Sequence, residues 1–187
     1  MFTSEQIDRL LAARTISDQP PWCAGDREQI EQHLKTICSK IEQNANAHSR
    51  IEWNHYGSGY ASYVDAWFYR PEPDFQLPDH TSGYSAYAGL VVCFSRLAPY
   101  FVLMEGDKRW DKTSSGGYLP GWEMVDEFCF PSVARLAAEI GQMLEWNSFI
   151  RLSRDQLAAE LHPDYQVPTL LSERPFRTFD ALFYWED

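Results

Sequence analysis

Six carboxylates, Glu105, Asp107, Asp111, Glu123, Asp126 and Glu127, and three large aromatics, Trp110, Tyr118 and Trp122, flank one Ser/Gly-rich segment at 111–121. Two chemistries fit that grouping. Glu105 or Asp107 could act as an acid or base in a small enzyme or ligand-binding domain, with a pocket between a sheet and the segments 70–81 and 111–121. Alternatively, Glu105, Asp107, Trp110, Asp111, Tyr118, Trp122, Glu123 and Asp126 form a surface for a basic protein. Aromatics would supply buried area there, and carboxylates would pair with Arg or Lys. The plain reading beside both is a solvated loop with ordinary charges.

Other chemistry lacks its residues. There is no Gly-x-Gly-x-x-Gly, Gly-x-x-x-x-Gly-Lys-Ser/Thr, Gly-x-Ser-x-Gly or His-Glu-x-x-His. A metal-dependent nuclease would place an acid on one strand and an acid-x-Lys triplet on the next. Asp74 or Asp79 could be the first acid, but Gly106 stands two before Lys108 and Trp110 two before Lys112. None of His33, His48, His55, His80 and His162 is paired at a ligand spacing. Cys93 lies in the middle of an apolar run where a thiolate is disfavoured, so it reads as a core thiol. No metal or cofactor is expected.

The elements that would position these residues centre on 84–110. Residues 87–95 and 99–106 are two apolar runs joined by a short connector, which predicts an antiparallel hairpin. The first run is continuous rather than alternating, as in a strand covered on both faces. Before it, Thr3 or Ser4 caps a short helix with Ile7, Leu10 and Leu11 on one side. Asp26 caps a longer one with Ile30, Leu34, Ile37 and Ile41 recurring at helical spacing. Ile51, Trp53 and His55 alternate as a strand, a turn follows at 57–59, and residues 60–69 read as the next strand. Prolines 71, 73 and 78 make 70–81 a surface loop. After the hairpin, 122–130 reads as an edge strand or a turn, and Pro131 and Ser132 open a helix along Val133, Leu136, Ala137, Ile140 and Leu144. Residues 149–152 suit a short strand. Ser153 and Gln156 form a capping box for a short helix to about 161, and the apolar tail at 179–185 should dock on the fold. The expectation is a single α+β domain over 1–187, with one antiparallel sheet of four to five strands and helices before and after it.

Charge narrows the partners. The net charge is −11, and residues 51–130 carry 5 Lys or Arg against 11 Asp or Glu. Such a field repels phosphate backbones and attracts basic proteins, so nucleic acid is not expected as a partner. Cys23, Cys38, Cys93 and Cys129 have no two-residue spacing and read mostly as buried thiols. With no apolar run of membrane length and no signal-like N-terminus, the expectation is a soluble cytoplasmic protein without membrane contact. Trp22, Tyr60, Tyr118, Trp122 and Trp185 lie beside turn residues, and some of them should be partly exposed.

In size, acidity, α+β layout and lack of catalytic motifs the chain resembles the small acidic immunity proteins of bacterial toxin–immunity systems, of the contact-dependent or type VI secreted kind. The stretch 105–127 stands where a toxin-facing surface would be. The resemblance implies a protein that binds a cognate basic toxin domain and blocks its active site without chemistry of its own.

Overall fold

The two longest apolar runs of the sequence become the two longest strands, Ser85–Ser95 and Tyr100–Trp110, paired antiparallel from Ser85↔Trp110 to Phe94↔Phe101. The computed structural model describes residues 2–78, 85–111 and 115–186. Asp79, His80, Tyr84, Lys112, Thr113 and Ser114 lie outside the described residues.

In chain order the helices and strands are α1 (Ser4–Leu11), α2 (Arg27–Asn44), β1 (His48–Glu52), β2 (Tyr60–Ala61), β3 (Tyr63–Tyr69), β4 (Ser85–Ser95), β5 (Tyr100–Trp110), β6 (Ser115–Gly117), α3 (Pro131–Trp146), β7 (Ile150–Arg151), α4 (Arg154–Leu157), α5 (Thr178–Leu182) and β8 (Trp185–Glu186). The fold is α+β. Strands run β1-β3-β4-β5-β6, all antiparallel, in the main sheet. It departs from one purely antiparallel sheet in two places. The two residues of β7 pair parallel with β5, and β2 pairs with β8 in a separate two-stranded sheet. The 60–69 run therefore breaks at Ser62, whose hydroxyl and backbone bind the chain near Tyr184 instead of continuing the ladder.

Side chains alternate between two buried faces, which is why the β4 run is apolar without interruption. One face, with Val64, Ala66, Phe68, Leu90, Val92, Phe94, Phe101 and Leu103, lies under α2 and α3. The expected stripes Ile30, Leu34, Ile37, Ile41 and Val133, Leu136, Ala137, Ile140, Leu144 are buried there. The opposite face, with Tyr63, Trp67, Val91, Cys93, Val102 and Met104, is covered by α1, α5 and the C-terminal tail. Capping follows the sequence: Thr3 with Gln6, Asp26 over Glu28 and Gln29, and Ser153 with Gln156.

Some local expectations change. Trp22, one of the aromatics beside turn residues, is not exposed but buried against His33 and Phe149. Cys23 and Cys129 are exposed while Cys38 and Cys93 are buried. Of the two readings of 122–130 the turn is the one found: residues 122–124 form a 3-10 turn, and Val125 makes an isolated bridge to Met104. The last helix of the capping box stops at Leu157. His55 is not on a strand but in a 3-10 turn, His55–Gly57.

Candidate functional site

At one end of the tail-covered face the sheet is dented by a cross-strand pair of glycines, Gly89↔Gly106. A Cβ on Gly89 would stand 2.5 Å from the Trp67 ring, and one on Gly106 would stand 2.4 Å from the Tyr118 ring. These two aromatics therefore lie directly on backbone, which only glycine permits. The Trp67 indole N–H donates to the Gly106 carbonyl at 2.9 Å. Tyr118 is carried over the strand by the β5–β6 pairing, and its hydroxyl donates to Oδ1 of Asp65 at 2.6 Å.

Asp65 is 3% exposed, in the middle of β3. Its cross-strand neighbours on the same face are Glu52 and Cys93. Its second oxygen, Oδ2, accepts from the Tyr56 hydroxyl at 3.0 Å, and Tyr56 in turn lies 3.2 Å from the Tyr63 hydroxyl. Because Tyr56 gives its proton to the carboxylate, Tyr63 donates to Tyr56. A chain of three phenols thus converges on one acid. Burial pushes the Asp65 carboxyl above its ordinary range, against the opposing pull of Lys108 and the two phenols. The same burial, then the neighbouring Asp65, pushes the Cys93 thiol well up, so Cys93 is a core thiol and not a nucleophile.

Tyr56 reaches Asp65 only through an unusual turn. His55 (φ 51°), Tyr56 (φ 56°) and Gly57 (φ 91°) are left-handed in succession. For a bulky residue such as Tyr this conformation costs on the order of 1–3 kcal/mol and persists where surrounding contacts impose it. Those contacts are the Tyr56 bonds to Asp65 and Tyr63, and the Ala61 N–H donating to His55 Nδ1 at 2.9 Å.

Asp65 forms the floor of an open pocket of about 310 Å3, whose walls include Arg50, Glu52, Tyr56, Lys108, Trp110 and Tyr118. Trp110 packs on Trp67, Tyr69 and Tyr87 with centroids 6.0, 5.7 and 5.7 Å away, and Arg50 lies 4.0 Å over its ring. Lys108 lies 4.9 Å over Tyr118. Leu119, at 58% exposed, stands on the lip. Among the described residues no cation is within ion-pair distance of Asp65. Its two partners are neutral phenols.

The residues singled out in the sequence divide into four groups. Trp110 and Tyr118 belong to this pocket. Glu105 and Asp107 point to the other face: Glu105 accepts the N–H groups of Cys129 and Phe130 at 3.0 and 2.8 Å, fixing the entry to α3. Asp107 is about half exposed beside Arg109, 3.5 Å away. Trp122 and Asp126 anchor the segment before α3 onto the C-terminal third. Guanidiniums of Arg154 and Arg177 lie 4.7 and 4.3 Å from the Trp122 ring. Asp126 binds Arg151 at 2.6 Å and the Arg154 N–H at 3.1 Å, and Glu127 pairs with Arg154. Glu123 is exposed, and Asp111 partly so, at the end of β5. Asp65, Tyr56 and Tyr63 were not singled out in the sequence. The available signal was a lone acid inside an apolar strand, between Val64 and Ala66.

Among the described residues no group of three or more His, Cys, Asp or Glu side chains is placed to hold a metal ion. Among the described residues no helix is long and apolar enough to cross a membrane. Comparison with protein-family models, with curated proteins and with solved structures returns no match.

Proposed function

We propose that the protein is a cytoplasmic binding protein that neutralises a basic protein partner, and that a Lys or Arg of the partner enters the pocket to meet Asp65. One observation carries this reading: a buried carboxylate lining an open pocket accepts from two neutral phenols and, among the described residues, has no cation within ion-pair distance, Lys108 acting on it only from farther off. A buried acid that is only partly compensated is costly, and an incoming ammonium or guanidinium relieves that cost while gaining a charge-assisted bond. The net charge of −11 steers a basic partner toward the protein. Trp110, Tyr118 and Leu119 provide the apolar collar that dries the contact. Arg50, Lys108 and Arg109 on the walls set specificity, because a partner residue inserted here is accommodated best when a carboxylate accompanies it. An immunity protein that blocks a cognate bacterial toxin is the member of this class to which the resemblance points.

A second reading has its own observation. A carboxyl raised by burial, held by two phenols in a concave pocket beside a strained turn, also suits a general acid acting on a small molecule. In that reading Asp65 takes the role first considered for Glu105 or Asp107, since Glu105 is engaged at the start of α3.

Affinity capture from the native cells with wild type and Asp65→Asn separates the two. A basic protein retained by wild type, and released both by Asp65→Asn and by high salt, supports the binding reading. Capture indifferent to Asp65, together with turnover of a small molecule that Asp65→Asn abolishes, transfers the protein to the enzyme class.

A further inference from the structure

A second concavity lies beyond the His55–Gly57 turn from the Asp65 pocket, and its electrostatics run against those of the whole chain. It encloses about 520 Å3 between the end of α1, the 3-10 turn Trp22–Ala24, the start of α2, Tyr60 and the β4–β5 connector. Four of the sixteen basic side chains of this acidic protein line it: Arg9, Arg14, Arg27 and Arg96.

Among the described residues Glu31 is the one carboxylate in the lining, and it is already shared. Its Oε1 lies 2.7 Å from Lys35 and its Oε2 lies 3.2 Å from Arg96. Arg96 is rigidly held, donating also to the carbonyls of Tyr63 at 3.2 Å and Trp53 at 3.0 Å. Arg9 donates to the Thr15 carbonyl at 2.5 Å, and Arg27 lies 5.1 Å over the Tyr60 ring. Among the described residues Arg9, Arg14 and Arg27 take part in no ion pair. His55 completes the wall. Its Nδ1 accepts the Ala61 N–H, so in the neutral ring Nε2 carries the proton and is a donor.

A chain with 27 acidic side chains could neutralise the whole cluster internally, yet among the described residues only Arg96 has an acidic partner. Guanidiniums are planar, weakly hydrated forks that match the oxygens of phosphate and carboxylate groups, and several around one cavity repel each other until an anion bridges them. The volume lies within the roughly 300–1,000 Å3 of small-molecule sites. We infer that this cavity binds a small oxyanion of two or more charges, a phosphorylated or polycarboxylate molecule, bridged between Arg14, Arg27 and the fixed Arg96. The inference is independent of the Asp65 pocket and of the basic partner.

Isothermal titration with inorganic pyrophosphate and with citrate, at ionic strength held constant with NaCl, tests it. Arg14 and Arg27 are exposed and outside the core, so Arg14→Ala and Arg27→Ala should fold. Arg135→Ala, an exposed arginine on α3, controls for the same loss of charge. Wild type should bind one equivalent with a raised melting temperature, Arg14→Ala and Arg27→Ala should each weaken binding by about tenfold or more, and Arg135→Ala should bind as wild type does. Whichever anion binds more tightly tells whether the natural ligand carries phosphoryl or carboxylate groups. No saturable binding of either anion by wild type, or equal weakening in Arg135→Ala, would overturn the inference.

Discussion

The Tyr118 hydroxyl donates to Oδ1 of Asp65 at 2.6 Å across 53 residues of sequence, and the bond is possible only because Gly106 has no side chain under the Tyr118 ring. Removing the hydroxyl leaves a buried carboxylate oxygen without a donor. Tyr118→Phe should lose about 1–3 kcal/mol of stability, read as a lower urea midpoint at unchanged slope. Stability equal to wild type would show that the bond does not hold the β5–β6 hairpin down.

Gly106→Ala perturbs the same contact from beneath, since the added methyl would meet three atoms of the Tyr118 ring at 2.4–2.8 Å. The ring must lift, and the Asp65 bond goes with it. We expect a loss of about 1–3 kcal/mol by overpacking, with a rise in Tyr118 fluorescence quenching by solvent. Combined with Tyr118→Phe, the two effects should be less than additive because they break one contact.

Asp65 should leave a signature in the pH dependence of stability. Desolvation raises its carboxyl above the ordinary 3.8, so the native state holds this proton more tightly than the unfolded chain does. The associated stability is present in full below about pH 3.8 and is lost as pH rises through the folded value. Asn at this position does not titrate. The melting temperature of Asp65→Asn relative to wild type should therefore climb, in the variant's favour, from acid to neutral pH. A difference that is flat with pH would contradict the raised carboxyl.

The C-terminal segment is part of the core. Phe179, Leu182, Phe183 and Tyr184 are at most 2% exposed, and Tyr184 donates to the Leu10 carbonyl of α1 at 3.0 Å. The Ser62 hydroxyl donates to the Leu182 carbonyl and accepts the Tyr184 N–H, each at 2.9 Å. Burial of Phe179, Leu182 and Phe183 contributes roughly 1.5–3 kcal/mol each. That sum approaches the whole margin of a typical domain, about 5–15 kcal/mol. Deleting 179–187 should abolish cooperative melting, whereas an unchanged melting temperature would place the tail outside the fold.

Much of the framework was legible in the sequence because local rules and tertiary packing agree in it. The hairpin, the stripes of α2 and α3 and the capping residues Thr3, Asp26 and Ser153 follow from period and chemistry alone. The docked tail followed from its apolar residues. The break at Ser62 was hidden because residues 60–69 keep strand composition while their partners switch from β4 to the C-terminus. The site was harder still. Asp65 meets Tyr56 and Tyr118 through a left-handed turn and a glycine dent, neither of which has a periodic signature. Clustering in sequence pointed to Glu105 and Asp126, but strand alternation sends Glu105 to the opposite face, and Asp126 pairs with Arg151.

Exposed carboxylates outside the pocket should act on the rate of encounter. Reversing Asp107, Asp111 or Glu123 to Lys should slow association with a basic partner at low salt. The effect should shrink near 1 M salt, where the Debye length falls from about 10 Å at 0.1 M to about 3 Å. Association indifferent to both changes would remove electrostatic steering from the proposal.

The most direct test of the central claim is the dissociation rate of the captured basic partner from wild type and from Asp65→Asn. An Asn side chain has nearly the same shape and can still bond the Tyr56 and Tyr118 hydroxyls, so the pocket is kept while its charge is removed. If a partner cation sits on Asp65, dissociation from Asp65→Asn should be about tenfold faster or more, with association little changed. Equal dissociation rates for the two proteins would contradict the claim that this pocket is where the partner is held.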